Sequence, residues 1–326
     1  MILVTGGAGF IGSNIIAGLA DAGHEIALSD RFGSGDKWRN LGKHPIRTFI
    51  DPDDLIAWLG ASADEISHVI HMGAISSTVE TDVDLIIRSN FSLSNELWEI
   101  CSERRIPLIY ASSAATYGDG DQGFDDDGST RALSRLRPLN PYGWSKHLFD
   151  RRVARAVEEG RLKPPFWVGL KFFNVYGPNE YHKEGQRSVA HQLFEVARAG
   201  RPARLFQSHR QGVPDGEQKR DFVHVDDCVS VVLWLMESRA SGLFNLGTGQ
   251  ARSFLDLAKA VFAALDKEPK IEFVPTPESL RERYQYFTEA RMDRLRKAGY
   301  SKPFLSLEEG VRDYVQRYLS SDDPYR

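Results

Sequence analysis

The chain begins with a short apolar run, Ile2-Leu3-Val4, that passes directly into Thr5-Gly6-Gly7-Ala8-Gly9-Phe10-Ile11-Gly12, and from Ile11 to Ala22 the residues follow a helical pattern. A strand, a turn with glycines at 6, 9 and 12, and a helix in immediate succession constrain the fold more than any other feature. Glycines at this spacing allow a tight turn, close helix–strand packing and an approach of the backbone to a pyrophosphate. The helix N-terminus adds free N–H groups and the positive end of the dipole. A second apolar run, Glu25-Ile26-Ala27-Leu28, leads to Asp30, placed where a carboxylate accepts from a ribose hydroxyl. The reading is a dinucleotide site that includes Gly6, Gly9, Phe10, Ile11 and Gly12. Asp30 alone favours NAD. Arg31 and Lys37 can instead hold a 2′-phosphate, and together they turn the expectation toward NADP.

The same rhythm continues. His68 to His71, Pro107 to Tyr110 and Phe166 to Leu170 are short apolar runs, separated by helical patterns at Asp84 to Glu103 and Tyr142 to Glu159. Near-continuous apolar strands alternating with helices predict an α/β fold, a doubly wound parallel sheet covered on both faces. After about residue 180 the rhythm loosens into a smaller, interleaved mixed α/β part. Phe222 to Val225 and Leu243 to Leu246 read as strands that return to the first sheet around a helix at Asp227 to Glu237. Ser253-x-x-Asp256 and Ser306-x-x-Glu309 signal two later helix starts. The division this predicts is residues 1–170 plus about 220–247 for the dinucleotide part, and about 171–219 plus 248–326 for the second part. Asp119 to Ser129 and His209 to Gln218 read as solvated loops. The first of these lacks the ligands of a calcium loop, because Gly123 stands at a ligand position and no glutamate closes it.

Tyr142 and Lys146 stand four apart at the start of a helix, which puts both on one face. A free phenol has a pKa near 10 and is a poor base at neutral pH. A neighbouring ammonium and a cationic oxidised cofactor ring favour the phenolate. Such a tyrosine can take a proton from an alcohol while hydride leaves the same carbon. Ser112-Ser113-Ala114-Ala115-Thr116-Tyr117 follows a strand and supplies a hydroxyl to orient that alcohol.

These segments, with GGAGFIG, NPYGWSK, FFNVYGP, KRDFVHVDD and FNLGTG, resemble the extended short-chain dehydrogenase/reductases that act on nucleotide sugars, over essentially the whole chain. Within that superfamily ASSAATYG, FFNVYGP followed by Glu180-Tyr181-His182-Lys183, and Arg283 to Thr288 resemble the branch that epimerises C6″ of ADP-heptose. The resemblance implies a bound NADP that is regenerated, an ADP-heptose-type substrate and a closed homo-oligomer, a pentamer. It also implies two acid/bases, Tyr142 and Lys183, with Lys146 tuning the first and Ser113 holding the oxygen. Read without it, Lys183 is a solvated loop lysine. By the same resemblance Met72, Gly73, Ala74, Ile75 and Ser76 form the loop beneath the cofactor, and Asn90, Asn174 and Val175 lie near cofactor or substrate. Arg220, Tyr284 and the segment Phe206, Gln207, Ser208, His209 surround the sugar nucleotide. Gly185 and Gln192 fall where the family carries a serine and a histidine in contact with substrate.

Other readings carry less. A sugar-nucleotide dehydratase needs an acid/base couple where this chain has Ala114 and Ala115. A UDP-sugar 4-epimerase remains the alternative, distinguished by having no need of Lys183. A non-catalytic dinucleotide sensor loses the tyrosine or the lysine, and both are present. Forty-one basic and 45 acidic residues give a net charge of −4, which argues against nucleic acid as a partner. Two cysteines exclude a disulfide scaffold, the nine histidines show no zinc spacing, and no metal is expected. No apolar run is long enough to span a membrane. The start at Met1 carries no leader pattern, and the expected location is the cytoplasm.

Overall fold

The computed structural model describes residues 1–281 and 284–326. Twelve strands form among the described residues, at β1 (Ile2–Thr5), β2 (Ile26–Ser29), β3 (Thr48–Ile50), β4 (His68–His71), β5 (Leu108–Ser113), β6 (Trp167–Phe172), β7 (Asn174–Tyr176), β8 (Ala203–Phe206), β9 (Lys219–His224), β10 (Gly242–Leu246), β11 (Ala251–Ser253) and β12 (Ile271–Val274). Seven of them make one parallel sheet in the order β10-β6-β5-β4-β1-β2-β3. The expected doubly wound parallel sheet is therefore present. Its strand order reverses at β1, between β2 and β4, and ligands of such sheets bind at that reversal, outside the carboxyl ends of the strands.

The apolar runs follow from burial on both faces. Ile2 and Val4 pack on one side with Ile15, Leu19, Val229 and Leu235, from the helices Phe10–Asp21 and Val225–Ser238. Leu3 packs on the other side with Leu59, Trp98, Phe149 and Val153. Fully burying each such side chain is worth about 2 kcal/mol. A third core, around Leu193, Phe194, Phe222, Val261, Val311 and Tyr314, holds the C-terminal part together.

Two expectations are corrected. β10 joins the seven-stranded sheet beside β6, but β9 does not. It pairs in parallel with β7 and antiparallel with β11 in a separate three-stranded sheet. The apolar pattern at Phe222 to Val225 fits a buried strand in either sheet, and pairing partners are not encoded locally. The loop 119–129 is also only partly solvated. Phe124 and Asp126 are buried, and Asp126 and the Phe124 carbonyl accept from the backbone and side chain of Asn245. The helix read at Asp84 to Glu103 is interrupted by a π-helical turn at Ile87–Ser92. Both serine-led capping boxes form, at Ser253 and Ser306, and Cys101 and Cys228 are buried and free. No described helix is long and apolar enough to cross a membrane.

Several histidines are buried as neutral rings. His71 meets the Thr5 hydroxyl at 2.6 Å and the Ser94 hydroxyl at 2.9 Å, and burial lowers its pKa to about 3. Burial likewise lowers His147 and His191 to about 4. Their folded values lie below the unfolded 6.5, so the stability they contribute is present above pH 6.5 and is lost as pH falls toward 4. At pH 5.5 each costs about 1 kcal/mol. Asp126 and Asp227, raised by burial to about 6, act in the opposite direction but by less over this interval. The melting temperature is expected to be lower at pH 5.5 than at pH 7.5. Thermal scans showing an equal or higher value at pH 5.5 would contradict this.

Candidate active site

The turn after β1 and the loop after β4 meet at the reversal of the sheet. Gly6 has φ +65°, and a Cβ there would lie 2.5 Å from the Gly73 Cα. Only glycine allows the two segments to approach this closely. No side chain caps the helix that starts at Phe10, so its first-turn N–H groups are left for a ligand. The Ala8 N–H donates to Asp30 Oδ2 at 2.8 Å, which draws the second strand's acid against the turn. Lys37 Nζ lies 2.6 Å from Asp30 Oδ1 and also donates to the Arg31 carbonyl.

These groups border a cavity of about 600 Å³. Gly6, Gly9, Phe10, Ile11 and Gly12 line one end of it, with Asp30 and Lys37. Met72, Gly73, Ala74 and Ser76 form its floor. Ile75 and Asn90 lie behind that floor rather than in it. Asn90, in the π-helical turn, bonds the Ile75 N–H at 2.8 Å and carbonyl at 2.9 Å, and donates to the Ser145 hydroxyl at 3.0 Å. It thereby ties the loop to the helix Pro141–Glu158. Arg31 departs from its expected place, because it turns to exposed Asp53 and does not line the cavity.

The opposite wall is built on the helix Pro141–Glu158. Asn140 caps it by accepting from the Gly143 N–H at 2.8 Å, and Pro141 occupies its first turn. A Cβ on Gly143 would lie 2.7 Å from the Ala115 carbonyl oxygen, so glycine is what lets this helix sit against the turn that follows β5. Ser113 and Tyr142 then line the same cavity. The two neighbouring serines are separated by this geometry. Ser112 donates to buried Asp150 at 2.7 Å, whereas Ser113 accepts from the Ala115 N–H at 3.1 Å and lines the cavity with Tyr142. Tyr142, Lys146, Ser113, Asn174, Val175 and Lys183 all line the same cavity.

Burial raises the Tyr142 pKa, and the Ser113 hydrogen bond opposes this. Burial lowers Lys146 to about 8, with Asp150 opposing. The protein alone therefore does not make the phenol acidic. An oxidised nicotinamide ring bound in the cavity would add a positive charge that favours the phenolate. Lys183 reaches the cavity from the segment Tyr181–Gln186, with its ammonium 5.6 Å from the Phe10 ring. Burial lowers its pKa and the field of Glu180 opposes. His182 beside it is held neutral, lowered by burial to about 4.

Behind this wall lies a buried ion pair that the sequence reading missed. Lys171, near the C-terminal end of β6, donates to Asp150 and to the Thr116 hydroxyl, each at 2.7 Å. Both charges are fully buried, so each depends on the other. A lysine in an apolar strand and an aspartate on a helix carried no signal that they would meet.

The remaining candidates form a second cluster. Arg220 lies 5.6 Å over both the Tyr284 and Phe254 rings and is largely buried. No described carboxylate forms an ion pair with it. Tyr284 packs on Phe206 at 6.0 Å and on His209 at 6.2 Å, and the Gln207 carbonyl accepts from Thr276. The Ser208 N–H donates to Asp215 at 2.7 Å. Phe254 also lines the cavity, which makes the two clusters continuous. Gly185 borders an adjoining cleft with Ser76, Thr78 and Lys183. Gln192 is exposed and donates to the Arg187 carbonyl. Arg283 lies outside the described residues. Glu180, Arg187 and Ser188 line the cavity without having been anticipated. They flank Lys183 at the two ends of its segment.

Residues 2–247 match the model of the NAD dependent epimerase/dehydratase family. The chain belongs to that family. An ADP-L-glycero-D-manno-heptose-6-epimerase of Fusobacterium nucleatum is 46% identical over 335 residues, covering 100% of both chains. Among solved structures, the Helicobacter pylori ADP-L-glycero-D-manno-heptose-6-epimerase superposes with a TM-score of 0.80 at 28% identity, over 97% of this chain and 95% of that one. A Thermus thermophilus UDP-glucose 4-epimerase in complex with NAD gives 0.76 at 26% identity, over 98% and 99%. For a member of the epimerase/dehydratase family, the dinucleotide is a nicotinamide dinucleotide, and the close-packed glycine turn fits its pyrophosphate. When bound, that cofactor accepts a hydride from a substrate carbon and can return it.

Proposed function

We propose that this chain inverts C6″ of ADP-D-glycero-D-manno-heptose, giving the L-glycero epimer, through transient oxidation to a ketone with NADP bound throughout. The observation that carries this reading is that Tyr142 and Lys183, on separate elements, line one cavity. Inversion at C6″ needs hydride to leave one face of the carbon and return to the other, and an acid/base on each side lets the hydroxyl proton be taken in one half-reaction and given back in the other. Tyr142 serves one face, with Ser113 holding the oxygen and Lys146 stabilising the phenolate. Lys183 serves the opposite face. Arg220, a guanidinium held between two rings with no described acid beside it, suits a diphosphate. A UDP-sugar 4-epimerase gives no role to Lys183, and the heptose reading is preferred for that reason.

NADP is favoured over NAD by Lys37, which lines the cavity and already neutralises Asp30. Arg31 is held only by an exposed pair to Asp53, and such pairs are worth little, so it is free to turn toward a 2′-phosphate.

The test is incubation with ADP-D-glycero-D-manno-heptose and, separately, UDP-galactose, read by NMR of the sugar, with mass spectrometry of the dinucleotide released from fresh protein. The expected result is inversion at C6″ of the heptose alone, without added reductant, and NADP in the released fraction. Inversion of UDP-galactose only, or NAD alone in the released fraction, would overturn the corresponding part.

A further inference from the structure

Glu180 lies three residues before Lys183, is 1% exposed, and lines the cavity. Its carboxylate accepts from the Ser188 N–H, from the Ser188 hydroxyl at 2.7 Å and from the Tyr314 hydroxyl at 2.9 Å. Its carbonyl accepts from the Lys183 N–H at 3.0 Å. Residues 180 and 188 bracket the loop that carries Lys183, so this one side chain closes the loop end to end and fixes it to the C-terminal core. The loop needs such a closure. Glu184 within it has φ +47°, a left-handed conformation that a non-glycine residue holds only when its surroundings impose it. The Tyr181 hydroxyl adds a bond to the Pro324 carbonyl at 2.6 Å.

We propose that Glu180 is the positioning residue for Lys183: its carboxylate clamps the loop 181–187 against Ser188 and Tyr314 and places a negative charge beneath the Lys183 ammonium. This rests on the reading of Lys183 as the second acid/base. Among the described residues Glu180 is the carboxylate whose field acts on Lys183, where burial pulls the ammonium the other way; burial also pushes the Glu180 carboxyl up, and its bonds to Ser188 and Tyr314 and the Lys183 charge oppose that. The other charged and titratable groups around the loop among the described residues are His182 and Glu184 within it, Arg187 at its end with Glu195 paired to it, Tyr181 and Tyr314 against Glu180, His191 and Tyr325 against Tyr181, and the Asp30–Lys37 pair near His182. Without the clamp the ammonium moves away from the substrate carbinol and loses its proton more easily. Substrate binding through Arg220 and the aromatic cluster is untouched.

The experiment is the pH dependence of kcat and KM for epimerisation in Glu180→Gln, Glu180→Asp and Tyr314→Phe, with Lys183→Met in parallel. Glu180→Gln is expected to lower kcat about tenfold or more, with KM within about twofold and bound dinucleotide unchanged. The limb of the profile that reports Lys183 moves to lower pH. Glu180→Asp keeps the charge and leaves that limb in place. Tyr314→Phe lowers kcat by about twofold to fivefold with the limb unmoved. Wild-type kcat and an unmoved limb in Glu180→Gln overturn the proposal. If that variant fails to fold, full activity in Tyr314→Phe overturns the clamp and a displaced limb in Glu180→Asp overturns the charge. Lys183→Met at wild-type rate would instead remove the reading on which the proposal rests, whereas an inactive Lys183→Met beside a wild-type Glu180→Gln removes the proposal alone.

Discussion

Tyr142→Phe is expected to lower epimerisation by roughly 10³-fold while the protein stays folded and retains its dinucleotide. The phenyl ring keeps the packing against the turn after β5 but has no proton to exchange with the substrate oxygen. Burial holds the Tyr142 proton in place, with only the Ser113 hydroxyl opposing it within the protein, and Lys146 is itself lowered to about 8. The phenolate therefore depends on the assembled site, with Lys146 charged and a cationic cofactor ring beside it. The check is the initial rate of inversion followed by NMR, with the bound dinucleotide measured on the same preparation. A variant that retains more than about a tenth of the wild-type rate would mean that another group takes the proton.

Lys183→Met is expected to have an effect of about 10²-fold or more, and its character differs. If each acid/base serves one face, each variant loses one half-reaction and keeps the other. One of the two epimers should still pass its hydride to the bound cofactor in Lys183→Met, seen as the near-ultraviolet absorbance of the reduced nicotinamide, and the other epimer should not. Tyr142→Phe should show the reverse preference. Identical behaviour of both epimers in both variants would show that a single group serves both faces. Methionine keeps the stem of Lys183 against Phe10, where the ammonium lies 5.6 Å from the ring, so the loss reports the charge rather than the packing.

Local signals in the chain were read reliably and long-range ones were not. Ile2-Leu3-Val4 followed by glycines at 6, 9 and 12 specified a strand, a turn and a helix from neighbours alone, and the structure puts Gly6 against Gly73 as that turn requires. Tyr142 and Lys146 were legible because helical spacing sets both on one face, and Asn140 and Pro141 mark where that helix begins. The destination of β9 was not legible. Its residues are apolar enough for either sheet, and pairing with β7 and β11 is decided by segments far away in sequence. The same holds for Arg31, whose turn toward Asp53 depends on a loop 22 residues on. Asn90, Glu180 and the Lys171–Asp150 pair are buried polar groups whose partners lie on other elements. Their roles exist only once the chain has folded around them. Lys183 illustrates the limit most clearly, since in the sequence it looks like any loop lysine, and the fold gives it a place on the cavity wall beside Phe10.

The most direct test of the central claim follows the hydrogen on C6″ itself. When ADP-D-glycero-D-manno-heptose is epimerised in deuterium oxide, the hydride that leaves C6″ should return to the same carbon. The account predicts that ¹H NMR shows the L-glycero product with its C6″ hydrogen intact and no deuterium there. One deuterium per inverted C6″, or recovery of uninverted substrate, would contradict it.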